Sequence, residues 1–235
     1  MIKEHYQHFH KTKPGWIHTE DYHQFWKQKI SDLLKLAPKH KYLDLGCGLA
    51  EISKELKDEY QLTASFVDAF YSDDLVIKRD ALDFLKEQSD NSFNSILLKQ
   101  VIHHFNETQR TELLKELKRI LTPNGQVLIL SMPEKIEVPL PSKAIEFYEE
   151  DNFDFQKLYH NLKLIGLNFQ TEDVRYQVKI NKPDLFQTLR ECYISTLSKL
   201  TEPEMEEGIK ELNQKYSSEH LEFSDILRAI ILQKD

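Results

Sequence analysis

The chain has 235 residues, 40% of them apolar and 30% charged, a balance that excludes disordered and collagen-like classes and allows one or two domains with a full core. A net charge of −8 argues against DNA or RNA as the main substrate, because a phosphate backbone calls for a basic face. Apolar runs such as Val127-Leu128-Ile129-Leu130 are far too short for a membrane span. Met1-Ile2-Lys3-Glu4-His5 lacks the apolar stretch of a signal peptide. Cys47 and Cys192 cannot supply a disulfide framework or a four-cysteine zinc site, so a reduced, cytoplasmic setting without membrane or nucleic-acid partners is expected.

In chain order, Thr19 is placed to cap a helix over 19–37. Its apolar stripe is Tyr22, Phe25, Trp26, Ile30, Leu33, Leu34 and Ala37, and Pro38 closes it. The next zone predicts strand 42–45, a glycine turn, helix 50–58, strands 63–67 and 75–78, helix 80–87, strand 94–99, helix 107–121, a Pro123-Asn124-Gly125 turn and strand 126–131. Strands alternating with helices predict an α/β fold with a parallel sheet covered on both faces. The remainder predicts helix 142–165, strand 172–180, helices 184–199 and 202–216, and strand 227–233. In such a sheet, ligands bind beyond the carboxyl ends of the strands.

Three features stand at those ends. Gly46 and Gly48 follow strand 42–45 and allow close backbone approach, and the following helix offers free N–H groups to an anion. Asp68 ends the next strand about 20 residues on, where ribose hydroxyls are held. Asp80 ends the third strand and is suited to an adenine amino group, with the Ala81 amide beside it. The alternatives are a solvated turn acid for Asp68 and a helix cap for Asp80. A dinucleotide site wants a third glycine where Glu51 stands, so a nicotinamide oxidoreductase is disfavoured. The turn suits a cofactor with one carboxylate, one ammonium and no phosphate.

The stretches Leu43-Asp44-Leu45-Gly46-Cys47-Gly48, Phe66-Val67-Asp68, Arg79-Asp80-Ala81, Phe93 to Leu98, Val101-Ile102-His103-His104-Phe105 and Leu121 to Leu128 resemble the class I S-adenosylmethionine-dependent methyltransferases. The resemblance implies a Rossmann-like, doubly wound, seven-stranded, mostly parallel sheet, with 172–180 and 227–233 as its last strands, one of them antiparallel. It implies a single domain: an N-terminal lid over 1–40, a cofactor core over 41–131, and substrate-cap helices with the last strands over 132–235. It also implies S-adenosyl-L-methionine as cofactor. Asp44, Gly46, Cys47 and Gly48 would surround the methionine part and Asp68 and Ala69 the ribose. Asp80 and Ala81 would meet the adenine, and Lys99 and Gln100 would floor the site near the sulfonium. Ala50 and Asn94 depart mildly from the family pattern. The 12 residues from Asp68 to Asp80 leave little room for the usual helix, so a loop or single turn must replace it.

His103 and His104 stand at the mouth of this cleft, as a base, as orienting groups or as packing. Five of the ten histidines and both tryptophans lie in the first 26 residues. Trp16, His18 and Tyr22 are the acceptor-contact candidates of that lid; His5, His8 and His10 could in principle hold a metal, but no cysteine or acid motif accompanies them, and no metal is expected. Aromatic residues of 132–160, among them Phe147, Tyr148 and Phe153, and the acids Glu149, Glu150, Asp151 and Asp154 read as a cationic-acceptor surface or a solvated helix face. No Asn/Asp-Pro-Pro-aromatic motif follows the fourth strand, no Pro-Cys dipeptide exists, and two cysteines do not suit arsenic methylation. The expected activity is methyl transfer to oxygen or nitrogen of a small molecule. The alternative is a cofactor-binding partner protein without chemistry. The oligomeric state is left open.

Overall fold

The computed structural model describes residues 15–151 and 153–234. Its strands are β1 (Lys41–Leu45), β2 (Thr63–Asp68), β3 (Val76–Lys78), β4 (Phe93–Lys99), β5 (Leu121–Ser131), β6 (Asn168–Asn181) and β7 (His220–Gln233). They form one sheet in the order β3-β2-β1-β4-β5-β7-β6. β3, β2, β1, β4 and β5 run parallel, and β7 pairs antiparallel with β5 from Gln126↔Gln233 to Ser131↔Arg228. The Rossmann-like expectation therefore holds, including the antiparallel strand.

Helices α1 (Glu20–Leu33), α2 (Glu51–Glu59), α3 (Ala81–Glu87) and α4 (Glu107–Ile120) fall close to the predicted spans. The stripe on α1 buries Trp26 and Ile30 completely, and Leu34 just past its end is 2% exposed. Truncating any of these to Ala is a core deletion costing about 2–5 kcal/mol. β1 and β4 read as nearly continuous apolar runs because both faces of a parallel strand are covered. Leu43, Leu45, Ile96 and Leu98 are fully buried.

Several predicted elements need correction, among them the last strand, which begins at His220 rather than 227. The single helix over 142–165 is two, α5 (Ser142–Glu150) and α6 (Phe155–Ile165). Asp154 starts the second by accepting the Lys157 amide at 2.9 Å, so this acid is a helix cap standing in the middle of an apolar period. The helix over 184–199 stops at Arg190 in α7 (Lys182–Arg190), because Cys192 adopts a left-handed φ of 52°. A short 3₁₀ turn over Leu197–Lys199 precedes α8 (Glu202–Lys215). β5 begins at Leu121 rather than 126, and its ladder with β4 jumps from Phe93↔Leu121 to Ser95↔Gln126 across Pro123-Asn124-Gly125.

The chain divides into two compact units. Unit I comprises residues up to Gln24, Glu134–Phe153 and Arg175–Ile226; unit II comprises Phe25–Pro133, Asp154–Val174 and the chain from Leu227 on. Within unit I, α5 and α8 approach closely at Gly208, where a Cβ would lie 2.4 Å from Pro141 Cβ. Among the described residues no helix is long and apolar enough to cross a membrane.

Candidate active site

The candidate cofactor residues all belong to unit II and lie at or just beyond the carboxyl ends of β1, β2, β3 and β4. The sheet order reverses between β1 and β4, which opens a crevice there. Gly46 leaves β1 with φ 75°, followed by Gly48 at 53° and Ala50 at 53°. The Gly46 and Cys47 amides both donate to Val67 O, at 2.7 and 3.1 Å, which clamps the turn to the end of β2. A Cβ on Gly46 would sit 2.4 Å from Val101 Cγ2, so glycine is required there by both backbone and packing. Ala50 caps α2 without a side-chain hydrogen bond. The first amides of α2 are therefore without side-chain partners at the end of the helix that favours an anion.

Asp68 holds the cleft's second wall. Its Oδ2 accepts the Gly48 amide at 2.9 Å, and its Oδ1 accepts the amides of Phe70 and Tyr71 at 2.8 and 2.9 Å. One carboxylate thus ties the glycine turn to the loop after β2, and Oδ2, which accepts a single amide, retains acceptor capacity for a ribose hydroxyl. Ala69 is exposed at the start of that loop.

No helix joins β2 to β3. A second aspartate shapes the connection instead: Asp73 Oδ1 accepts the Leu75 and Val76 amides, both at 2.8 Å, and its Oδ2 takes Lys54 Nζ at 2.6 Å. The Lys54 ammonium, followed by the loop amides, holds the Asp73 pKa down to about 2. Two local aspartate turns therefore replace the helix. Asp80 caps α3 through Oδ1, which accepts Leu82 N at 2.9 Å and Asp83 N at 3.3 Å. Its cap role is real, and Oδ2 is not used in it. Ala81 opens α3, half-buried.

Asp44 is 5% exposed and accepts Ser53 Oγ at 2.5 Å, and Ser53 in turn pairs with Tyr42 Oη at 2.7 Å. Burial pushes the Asp44 pKa up to about 6; the Ser53 hydrogen bond and Lys99 pull it down, and Asp68 pushes it up. Burial, Asp44 and Asp68 also push the Cys47 thiol up, which makes it a poor nucleophile. Lys99 ends β4, and Gln100 follows it with φ 61°, pinned by its amide to Leu130 O at 2.7 Å. A left-handed glutamine is a strained residue at the strand end nearest the crevice.

A 3₁₀ turn over Ile102–His104 presents His103 and His104, with ring centroids 4.0 Å apart. Burial, then the His104 ring, pushes the His103 pKa down.

Trp16, His18 and Tyr22 belong to unit I. Trp16 Nε1 and Tyr22 Oη both donate to Asp225 Oδ2, at 3.0 and 3.1 Å, whereas His18 is exposed at the end of a 3₁₀ turn. His5, His8 and His10 lie outside the described residues. Sequence reasoning did not single out Ser53, Tyr42, Asp73, Tyr193 or Asp225. Asp73 carried a legible signal, an Asx-turn pattern in Ser72-Asp73-Asp74-Leu75; Ser53 and Asp225 acquire partners 9 and more than 200 residues away and carried none.

Residues 18–163 match the family described as "Methyltransferase domain". The chain is similar to the ubiquinone/menaquinone biosynthesis C-methyltransferase UbiE of Hydrogenovibrio crunogenus, 27% identical over 142 residues, covering 54% of this chain and 55% of that protein. It therefore spans about half the length of that relative. Among solved structures, a protein of Anabaena variabilis assigned as a methyltransferase from an antibiotic biosynthesis pathway superposes with a TM-score of 0.62 at 16% identity, covering 88% of this chain and 96% of that one. A SAM-dependent methyltransferase from Archaeoglobus fulgidus gives 0.54 at 18% identity, covering 90% and 94%. With the glycine turn and its flanking acids in place at the ends of β1 and β2, the match over most of the chain shows that it belongs to the methyltransferase-domain family.

Proposed function

We propose that the enzyme methylates an oxygen or nitrogen atom of a small molecule, with the cofactor seated in the unit II cleft. The observation that carries the cofactor reading is the Asp68 carboxylate, held by three backbone amides from the glycine turn and the β2–β3 loop. S-adenosylmethionine supplies an already activated methyl on a sulfonium, so the protein's work is positioning. The residues present fit that cofactor. Asp44, buried and anionic once its proton is lost, suits the ammonium of the methionine part, with Gly46, Cys47 and Gly48 leaving room for it. The open first turn of α2 suits its carboxylate. Asp68 and Ala69 would meet the ribose, Asp80 Oδ2 and the Ala81 amide the adenine, and Lys99 and Gln100 would floor the site.

His103 or His104 would take or orient the acceptor's proton, where the acceptor carries one. Trp16, His18 and Tyr22 would contribute to acceptor recognition. A net charge of −8 supports a small molecule over a nucleic acid. A second reading, transfer to carbon, is favoured by the description of the Hydrogenovibrio relative as a C-methyltransferase. Carbon acceptors need a proton removed to expose an enolate or phenolate, so that reading requires a base more strongly than amine methylation does. Incubating the enzyme with methyl-labelled cofactor and a panel of amines, phenols and quinols, followed by mass analysis, tests this. A labelled amine or ether supports the first reading and a carbon-labelled ring the second.

A further inference from the structure

β3 stands at one end of the sheet order, so among the described residues no strand pairs with its outer side. Leu75 is 52% exposed and Ile77 46%, and both lie on this edge. Val76 between them is 3% exposed, so the side chains alternate, with Leu75 and Ile77 on one face and Val76 on the other. The Arg79 amide donates to Asp68 O at 2.9 Å, so the neighbouring Lys78 turns its N–H and C=O to the open side. The Val76 amide is already held by Asp73 Oδ1 at 2.8 Å. An exposed edge strand with apolar side chains is a template for a further strand.

The pattern of charge selects that strand. In Asp74-Leu75-Val76-Ile77-Lys78 an acid and a base stand at equal distances either side of Val76, with an apolar residue between each of them and Val76. Asp74 and Lys78 are both exposed. Laid antiparallel on a copy of itself about Val76, this segment sets Asp74 opposite Lys78 and Leu75 opposite Ile77, each pair occurring twice. We propose that β3 is a self-complementary edge through which two copies of the chain associate about a twofold axis. Backbone pairing is carried by Lys78, because Asp73 occupies the Val76 amide, so the dimer is weak and held mainly by its cross-strand side-chain pairs. A parallel copy would set Asp74 beside Asp74 and Lys78 beside Lys78, and a strand of one charge sign would satisfy only one end of the segment.

The test is sedimentation velocity on the full chain over a concentration series up to about 1 mM, for the wild type, Ile77→Lys, Lys78→Glu and the charge-exchanged double variant Asp74→Lys/Lys78→Glu. The wild type should pass from monomer to dimer as concentration rises. Ile77→Lys should stay monomeric. Lys78→Glu places two acids opposite each other at both ends of the pairing and should raise the dimer dissociation constant by about tenfold or more. The double variant should return to within about threefold of the wild type, a recovery that a change in folding alone does not give. The substituted positions are all exposed, so each variant should keep the wild-type Tm. A wild type that stays monomeric throughout overturns the proposal and leaves the edge to a different protein. A dimer unchanged by Ile77→Lys and Lys78→Glu also overturns it, because the contact then lies on another face. Weakening in Lys78→Glu without recovery in the double variant overturns the pairing about Val76.

Discussion

Ser53 Oγ donates a 2.5 Å hydrogen bond to Asp44 Oδ2, so the first turn of α2 governs the charge of the acid that ends β1. This bond opposes burial, which holds the Asp44 pKa up at about 6. Below that value the acid is protonated and offers no charge to a cofactor ammonium. Cofactor affinity should therefore rise about tenfold per pH unit up to roughly pH 6 and then level off. Ser53→Ala removes a contact that lowers the pKa, so the levelling point should move to higher pH. Lys99, which lowers this pKa, and Asp68, which raises it, remain in place in that variant. Calorimetry across pH checks this, and an unshifted profile in Ser53→Ala would remove Ser53 from the site.

The same acid sets a stability trend in the ligand-free enzyme. Its folded pKa, about 6, lies above the ordinary value of 3.8, so between the two the folded state binds more proton than the unfolded state. Stability then falls as pH rises through that window, by about 3 kcal/mol when the loss is complete above pH 6. Asp44→Asn should flatten this component and leave the ligand-free protein more stable at neutral pH, while weakening cofactor binding. Urea unfolding at several pH values reads it directly.

Gly46→Ala sets a Cβ 2.4 Å from Val101 Cγ2 at a φ of 75°. Both effects are unfavourable, and the variant should lose about 1–3 kcal/mol of stability. Val101→Ala in the same chain should recover the steric part and not the backbone part. Full recovery in the double variant would show that the left-handed conformation costs nothing.

His103 is a weak base. The depressed pKa of His103 keeps its ring neutral near neutral pH and makes it a weak proton acceptor. Where acceptor methylation needs a base, His104→Asn should therefore lower kcat by about 10²–10⁴ and His103→Asn by less, with cofactor affinity unchanged in both. The opposite ranking would assign proton transfer to His103.

Much of this site was legible because its determinants are local. The Asp44-to-Gly48 turn, Asp68 and the strand ends were readable from apolar runs interrupted by glycine and acid. The short interval between Asp68 and Asp80 foretold the missing helix. The means of replacing it, paired aspartate turns at Asp68 and Asp73, follows from side-chain bonds to amides two and three residues on. The Asp154 cap was hidden inside an apolar period that continues on both sides of it. Asp225 was illegible, because pairing across more than 200 residues leaves no mark on the local sequence.

The most direct test of the central assignment is calorimetric titration of S-adenosylmethionine into the wild-type enzyme and into Asp68→Ala. Cofactor binding at the unit II cleft predicts saturable one-site binding by the wild type and a loss of about 1–3 kcal/mol in the variant, from the charged hydrogen bonds removed. Absence of binding by the wild type, or equal affinity in the two proteins, would contradict it.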